Sequence, residues 1–235
     1  DTYILFRFYE IPQRDRADRI SINTNSQSAV KPRDLRSNDK RVLNLKKIFE
    51  QRYSNGYLAT KRGETIPADK NMDFVIDLAE LGKCLIAWHS QRPNISYSET
   101  KIFEKYFEQL FKREYKPEDA QALNFWMKQI LKSWNDKNPL GLNETLLAMR
   151  AYAPYHQLYA ISMCFSISNN LADRVPNPSK CLEKAKANMV EEIIKISAAS
   201  LNMALEAAAN EPQPKNRVFS PQNWIKSKDC LAKIN

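Results

Sequence analysis

Glycine is scarce in this chain, in which only 4 of 235 residues are glycine. Tight hairpins use glycine for backbone conformations with positive φ, which other residues avoid. The scarcity therefore favours a helical body with few tight hairpins. From about Pro67 onward, apolar residues recur at helical spacing. On this basis we predict helices over 70–89, 98–114, 117–134, 143–170 and 179–210, of which that over 143–170 is either one long helix or a helix interrupted at Pro154.

The first 66 residues have a different pattern. Residues 2–11 alternate and are rich in aromatic side chains, which predicts a strand, and a second short strand is predicted over 19–24. Pro32 is suited to the first turn of a short helix, where a missing N–H has no cost. Ser37, Asn38 or Asp39 can cap a longer helix that runs to about Tyr53, and the run YLATKRGE predicts a further strand.

These patterns together predict an α+β fold, with a small N-terminal portion that contains strands followed by a predominantly α-helical bundle. We place a basic α+β portion at 1–66 and a helical portion at 67–235. The chain does not begin with Met, so we expect the first portion to be incomplete at its N-terminal side. The sequence leaves open whether the two portions are separate domains or one continuous layer.

Cysteine and histidine usage argues against disulfide and zinc sites. The four cysteines lie at least 17 residues apart, which predicts reduced thiols in a cytoplasmic protein, with Cys84 and Cys164 in the core. His89 and His156 have no cluster of cysteines or acids around them, so structural roles are expected for both and no metal site is predicted. No window of 18 apolar residues occurs, so no membrane contact is predicted.

A catalytic site is not evident. No two glycines lie close enough to form a phosphate-binding loop. Asp77, Glu80 and Lys83 have a spacing that a metal-dependent nuclease could use. An i, i+3 ladder of opposite charges on a solvated helix face explains the same spacing more simply. The catalytic residues and any cofactor are therefore unknown at this stage.

Positive charge is concentrated near the N-terminus. The net charge is +9, and residues 1–63 hold 14 Lys/Arg against 7 Asp/Glu, whereas residues 64–235 hold 22 against 20. A local basic excess favours a polyanionic partner, with nucleic acid first and an acidic protein surface second. A solvated basic face without a partner is the alternative.

The polar run around residues 23–41 lies within this basic region. Asn and Gln amides can pair with base edges, and Lys and Arg bind phosphates. Alternatively, the short polar side chains hydrogen-bond their own loop. The predicted nucleic-acid-binding residues are Asn25, Gln27, Lys31, Arg33, Arg36, Lys61 and Arg62.

Three stretches, INTNSQSAVKPRDLRSND, LNLKKIFE and GYLATKRGE, resemble the signature of the AIPR (abortive infection phage resistance) family. The residues that carry the resemblance are Thr24-Asn25-Ser26-Gln27, Asp34-Leu35-Arg36-Ser37, Phe49 and Lys61-Arg62-Gly63-Glu64. The resemblance is good over 19–66, fair over 67–170 and weak beyond. A weaker similarity connects the Thr-Asn-x-Gln run to DGQHR-type proteins of DNA-sulfur-modification systems.

The resemblance implies a bacterial anti-phage defence protein of the abortive infection type. The basic portion 1–66 would contact DNA or RNA, and the helical portion would support it or bind a partner protein of the defence system. Two alternatives remain. The chain could be a protein–protein interaction module of a defence complex, or the non-catalytic half of a nuclease whose active site lies upstream.

Overall fold

The computed structural model describes residues 31–135, 137–168, 175–212 and 218–234. The strands predicted over 2–11 and 19–24 lie outside these residues. The described part is mostly helical and contains one parallel sheet of two strands. The predicted fold class, a small strand-containing portion followed by a helical bundle, is confirmed.

The described part of the N-terminal portion follows the sequence prediction. Helix α1 (Pro32–Arg36) has proline at its first position. Helix α2 (Lys40–Arg52) begins after Asp39, whose side chain accepts a hydrogen bond of 2.9 Å from the backbone N–H of Arg41. Strand β1 (Tyr57–Ala59) follows. The proline and the cap satisfy or remove N–H groups that a helix start leaves unpaired, so both starts are readable from local sequence.

The helix predicted over 70–89 is wrong in its first half. A 3₁₀ turn (Met72–Phe74) is followed by strand β2 (Val75–Asp77), which pairs in parallel with β1, and helix α3 (Leu78–Trp88) begins only then. Two β-branched residues, Val75 and Ile76, favour the extended backbone. Asp77 then caps α3 by accepting hydrogen bonds from two backbone N–H groups.

The next predicted helices form with changed boundaries. The segment predicted over 98–114 is a continuous helical stretch with a wider middle: α4 (Glu99–Lys101), a π-helical turn (Ile102–Tyr106) and α5 (Phe107–Phe111). Helix α6 (Pro117–Ser133) matches its prediction.

The two long helices predicted over 143–170 and 179–210 are each divided. The first comprises α7 (Glu144–Leu147) and α8 (Ala153–Ser168), and the second α9 (Pro178–Lys184) and α10 (Ala187–Ala209). Pro154 lies at the start of α8, where its missing N–H is tolerated. Short helices α11 (Pro221–Trp224) and α12 (Asp229–Ile234) end the described chain.

One hydrophobic core joins the elements on both sides of residue 66. Phe49 and Leu58 belong to the same buried cluster as Trp88, Trp126 and Trp134, all of which are fully buried. Tryptophans bury large apolar areas, so this cluster supplies much of the driving force for packing. The division at residue 66 is therefore crossed by shared packing, and the domain boundary itself stays a prediction.

The structure also bears on the predicted burial of two cysteines and on the prediction of no membrane span. Cys84 is buried as expected, but Cys164 is exposed near the end of α8, so its assignment to the core was wrong. None of the helices in the described ranges has both the length and the apolar character that a bilayer span requires.

A buried polar network ties α6, α8 and α10 together. Gln157 is fully buried, and its Oε1 accepts a hydrogen bond of 2.6 Å from Trp134 Nε1. Its Nε2 donates to the carbonyl oxygen of Ile194 at 2.9 Å and to Ser197 Oγ at 3.1 Å. A buried amide with all these partners positions three helices, and each hydrogen bond removed there leaves an unpaired buried group.

We predict that Gln157→Leu lowers the free energy of unfolding by about 1–3 kcal/mol, because the indole N–H of Trp134 loses its partner in a dry core. Urea unfolding followed by tryptophan fluorescence measures the change. Gln109→Leu, at an exposed position on α5, is the matched control and should change stability by about 0.5 kcal/mol or less. Equal effects of the two variants would contradict the role of the network.

Candidate nucleic-acid interface

Arg33 is the most buried of the predicted binding residues that the structure describes, with 5% of its surface exposed. Its Nη2 donates to Asp77 Oδ2 at 2.6 Å and to the carbonyl oxygen of Lys61 at 3.1 Å. Its Nε is buried and has no hydrogen-bond partner among the described residues. Arg33 therefore connects α1 to strand β2 and to the turn after β1, and in this arrangement its guanidinium faces inward.

Asp77 has two structural tasks at the junction of β2 and α3. One carboxylate oxygen binds Arg33, and the other accepts from the backbone N–H of Ala79 at 2.8 Å and of Glu80 at 3.3 Å. A carboxylate at a helix N-terminus also interacts favourably with the helix dipole. The same side chain thus starts α3 and holds α1.

Arg36 lies one turn after Arg33 on α1 and shares a carboxylate with Arg41 of α2. Glu108 of α5 accepts from Arg36 at 3.3 Å and from Arg41 at 2.9 Å. Both guanidinium groups also stand over the ring of Phe107, at 4.6 and 5.0 Å from its centroid. The hydrogen bonds that Arg41 donates to Asp39 and then to Glu108 raise the pKa of Arg41. This cluster joins α1, α2 and α5 and leaves Arg36 half-buried.

Glu64 organises the turn that follows β1. Its carboxylate accepts hydrogen bonds from Lys46 Nζ at 2.8 Å, from the Tyr57 hydroxyl at 2.5 Å, and from the backbone N–H groups of Thr60 at 2.7 Å and Lys61 at 3.0 Å. Burial alone would raise the pKa of Glu64, but these hydrogen bonds, led by that of Lys46, outweigh it and lower the pKa to about 2.

Gly63 completes the same turn. Its φ is +68°, in the left-handed region that side chains disfavour, and no atom lies within 4 Å of the place where a Cβ would be. The glycine is therefore required by the backbone and not by crowding. With Gly63 and Glu64 fixing the turn, the Lys-Arg pair before them is held at the surface.

Three of the predicted cations, Lys31, Lys61 and Arg62, are exposed and lie at one edge of the molecule. Arg33 bonds the Lys61 carbonyl, and the Arg62 backbone N–H donates to Asp34 Oδ1 at 3.2 Å, so the turn lies beside α1. The Arg62 side chain pairs with Glu99 of α4 at 2.9 Å. We call Lys31, Lys61 and Arg62 the basic edge. Asn25 and Gln27 lie outside the described residues.

Asp77 and Glu80, the two acids with nuclease-like spacing, form ion pairs and hydrogen bonds with neighbouring side chains. Glu80 pairs with Lys83 at 2.5 Å and also accepts from the Tyr155 hydroxyl, while Asp77 pairs with Arg33. In the described ranges, no three His, Cys, Asp or Glu side chains are arranged to hold a metal ion. The arrangement of these residues thus favours the charge-ladder interpretation for Glu80 and Lys83.

His89 has a structural setting as well. Its Nδ1 accepts a hydrogen bond from Arg113 at 2.9 Å, and its ring packs against Tyr115 with centroids 5.5 Å apart. Burial, and then the charge of Arg113, lower the pKa of His89 to about 3. The described partner of its Nδ1 is thus a cation, whereas a catalytic histidine is oriented by an acid.

The comparison with protein families agrees with this arrangement of signature residues. A family model described as AIPR protein matches residues 1–211. The chain belongs to the AIPR family. No curated protein and no solved structure matched this chain. The AIPR match includes every described residue of the basic edge and of the contacts that support it.

Within this AIPR chain, sequence reasoning identified the cations but not the acids that hold them. Asp34, Glu64 and Asp77 each accept hydrogen bonds from residues that are 3 to 44 positions away in sequence. Asp34 and Glu64 stand inside the family signature, so the motif itself was the available signal. The structure gives both a structural role.

We predict that Arg33→Met costs about 2 kcal/mol of stability, because Asp77 and the Lys61 carbonyl oxygen lose the buried guanidinium that joins them. Arg36→Met on the same helix is the control and should cost about 1 kcal/mol or less, since its carboxylate partner is exposed and retains Arg41. Urea unfolding measures both changes. A smaller effect for Arg33 than for Arg36 would show that the ion pair does not hold the interface.

The lowered pKa of Glu64 gives a pH-dependent prediction. Because the folded state depresses this pKa from 4.5 to about 2, the stabilisation is fully present above pH 4.5 and declines as the pH falls towards 2. Glu64→Gln should therefore be less stable than the parent at pH 7, and the difference should shrink at pH 3. Urea unfolding at both pH values tests this, and a pH-independent difference would refute it.

Proposed function

We propose that this AIPR protein acts in abortive-infection defence against phage in bacteria and contacts nucleic acid through its basic N-terminal portion. The observation that supports this most is the basic edge, in which the family signature holds Lys31, Lys61 and Arg62 at the surface. Glu64, Asp34 and a required glycine fix the turn, while the side chains of Lys31 and Lys61 face solvent and that of Arg62 pairs with Glu99. Fixed cations at one edge suit a phosphate backbone.

The other predicted residues have different parts in this proposal. Arg33 and Arg36 position the edge, since their guanidinium groups are occupied by Asp77 and Glu108. Asn25 and Gln27 would read bases or close the loop on itself, as the sequence predicts. The proposal extends to either DNA or RNA, and it places the protein in the cytoplasm.

The test is a triple variant, Lys31→Gln, Lys61→Gln and Arg62→Gln. We expect it to bind DNA and RNA about tenfold or more weakly at 100 mM salt, and to reduce the log–log salt slope by about 0.7–0.9 for each phosphate that the variant leaves without a cation. Fluorescence anisotropy with labelled oligonucleotides measures both. The variant should also protect host cells less against phage, as judged by plating efficiency.

The matched control changes the same net charge elsewhere. Lys132, Lys137 and Lys180 are exposed on other segments, and their joint replacement by Gln should leave most of the affinity intact. If the basic-edge variant binds as the parent does, nucleic-acid contact through this edge is excluded.

A second candidate function, a protein–protein interaction module, is favoured by one face of α10. Met189, Ile196 and Met203 are spaced seven residues apart and are 45%, 50% and 68% exposed. Apolar side chains in a heptad line resemble the seam of a coiled coil. Absence of salt-sensitive nucleic-acid binding in the experiment above, together with a stable complex with another defence protein, would favour this function.

A further inference from the structure

Two lysines and two tyrosines from three distant chain segments meet at the surface. Lys226 Nζ lies 5.2 Å from the ring centroid of Tyr97 and 5.0 Å from that of Tyr152. Lys101 Nζ donates to the Tyr97 hydroxyl at 2.7 Å and lies 5.0 Å from the centroid of the same ring. We call these four residues the tyrosine–lysine cluster.

The fold holds Lys226 in place through its neighbours. Trp224 and Ile225 are buried, and the Ile225 carbonyl oxygen accepts a hydrogen bond of 2.7 Å from Nε2 of the buried His156. Asn94, just before Tyr97 in sequence, donates to the Lys226 carbonyl oxygen at 3.4 Å. The backbone on both sides of Lys226 is therefore fixed, and only the side chain reaches the surface.

The charges of the cluster are not compensated by acids. No carboxylate lies within ion-pair distance of Lys101 or Lys226 in the part of the chain that the structure describes, whereas Arg36, Arg41 and Arg52 each pair with a glutamate. Two ammonium groups near one ring, stabilised by cation–π contacts and by one hydrogen bond to a neutral hydroxyl, leave a local positive potential at which an anion gains energy.

The cluster is linked to the basic edge through α4. Glu99 of α4 pairs with Arg62 at 2.9 Å, and Lys101 ends the same short helix.

The exposed ring of Tyr97 indicates which class of anionic ligand the cluster suits. Tyr97 is 40% exposed, and an exposed aromatic ring beside cations is the arrangement on which unpaired bases stack while phosphates bind the charges. Duplex bases are already stacked on each other and would gain nothing from the ring. An acidic protein surface would use the lysines but not the ring.

From these contacts we propose that the tyrosine–lysine cluster binds single-stranded nucleic acid, with a base on Tyr97 and phosphates on Lys101 and Lys226. The proposal rests on the proposed function and adds to it a site outside the predicted residues and a preference for single strands.

The test measures anisotropy of a labelled 30-nucleotide DNA and RNA of mixed sequence, each as a single strand and as a duplex, with the full 235-residue chain. Tyr97→Leu should weaken single-strand binding at least about fivefold, whereas Tyr97→Phe retains the ring and should stay within about twofold of the parent. Lys226→Gln should weaken it about threefold to tenfold and lower the salt slope by about 0.7.

Lys180→Gln removes one exposed lysine from α9 and is the matched control. If the parent binds with salt dependence but Lys226→Gln behaves like Lys180→Gln, this inference is wrong while the proposed function stands. If Tyr97→Leu weakens duplex binding as much as single-strand binding, the single-strand preference is wrong. If the parent binds no nucleic acid, both proposals fail.

Discussion

The ion pair between Arg33 and Asp77 is the interaction on which the N-terminal part of this structure depends. It joins residues 44 positions apart, and the same carboxylate starts α3, the helix that carries the buried Trp88. The arginine also holds the turn after β1 through the Lys61 carbonyl. The arginine of this pair is buried and the carboxylate is partly exposed, and desolvation of the arginine offsets part of the attraction, so the pair fixes geometry more than it adds stability.

How much of the fold could be predicted depended on whether its cause was local. Pro32, Asp39 and Pro117 indicated three helix starts, since proline and capping residues act within one turn. Strand β2 was missed because Val75–Asp77 is too short for its period to be read, and its hydrogen bonds go to Tyr57–Ala59. A short stretch of sequence around Val75 does not indicate a pairing partner that lies so far away in the chain.

At the candidate site, too, the residue types could be read from the sequence, but their contacts with distant residues could not. The sequence showed where cations accumulate, but it could not separate Arg33, which faces inward, from Lys61, which faces solvent, since that difference is set by Asp77. The contact between Tyr97 and Lys226 was even less predictable. It depends on the docking of a C-terminal segment that lies beyond the range matched by the family.

The burial of both histidines has a consequence for how this protein can be regulated. His89 and His156 are the two histidines of the chain, and burial lowers their pKa values to about 3 and about 4. Neither imidazole gains a proton between pH 5 and pH 8, the range in which histidine usually acts as a sensor. A moderate acidification of the cell during infection would therefore leave both rings uncharged. The charge of the basic edge comes from lysine and arginine, so ionic strength screens it while moderate changes of pH leave it in place.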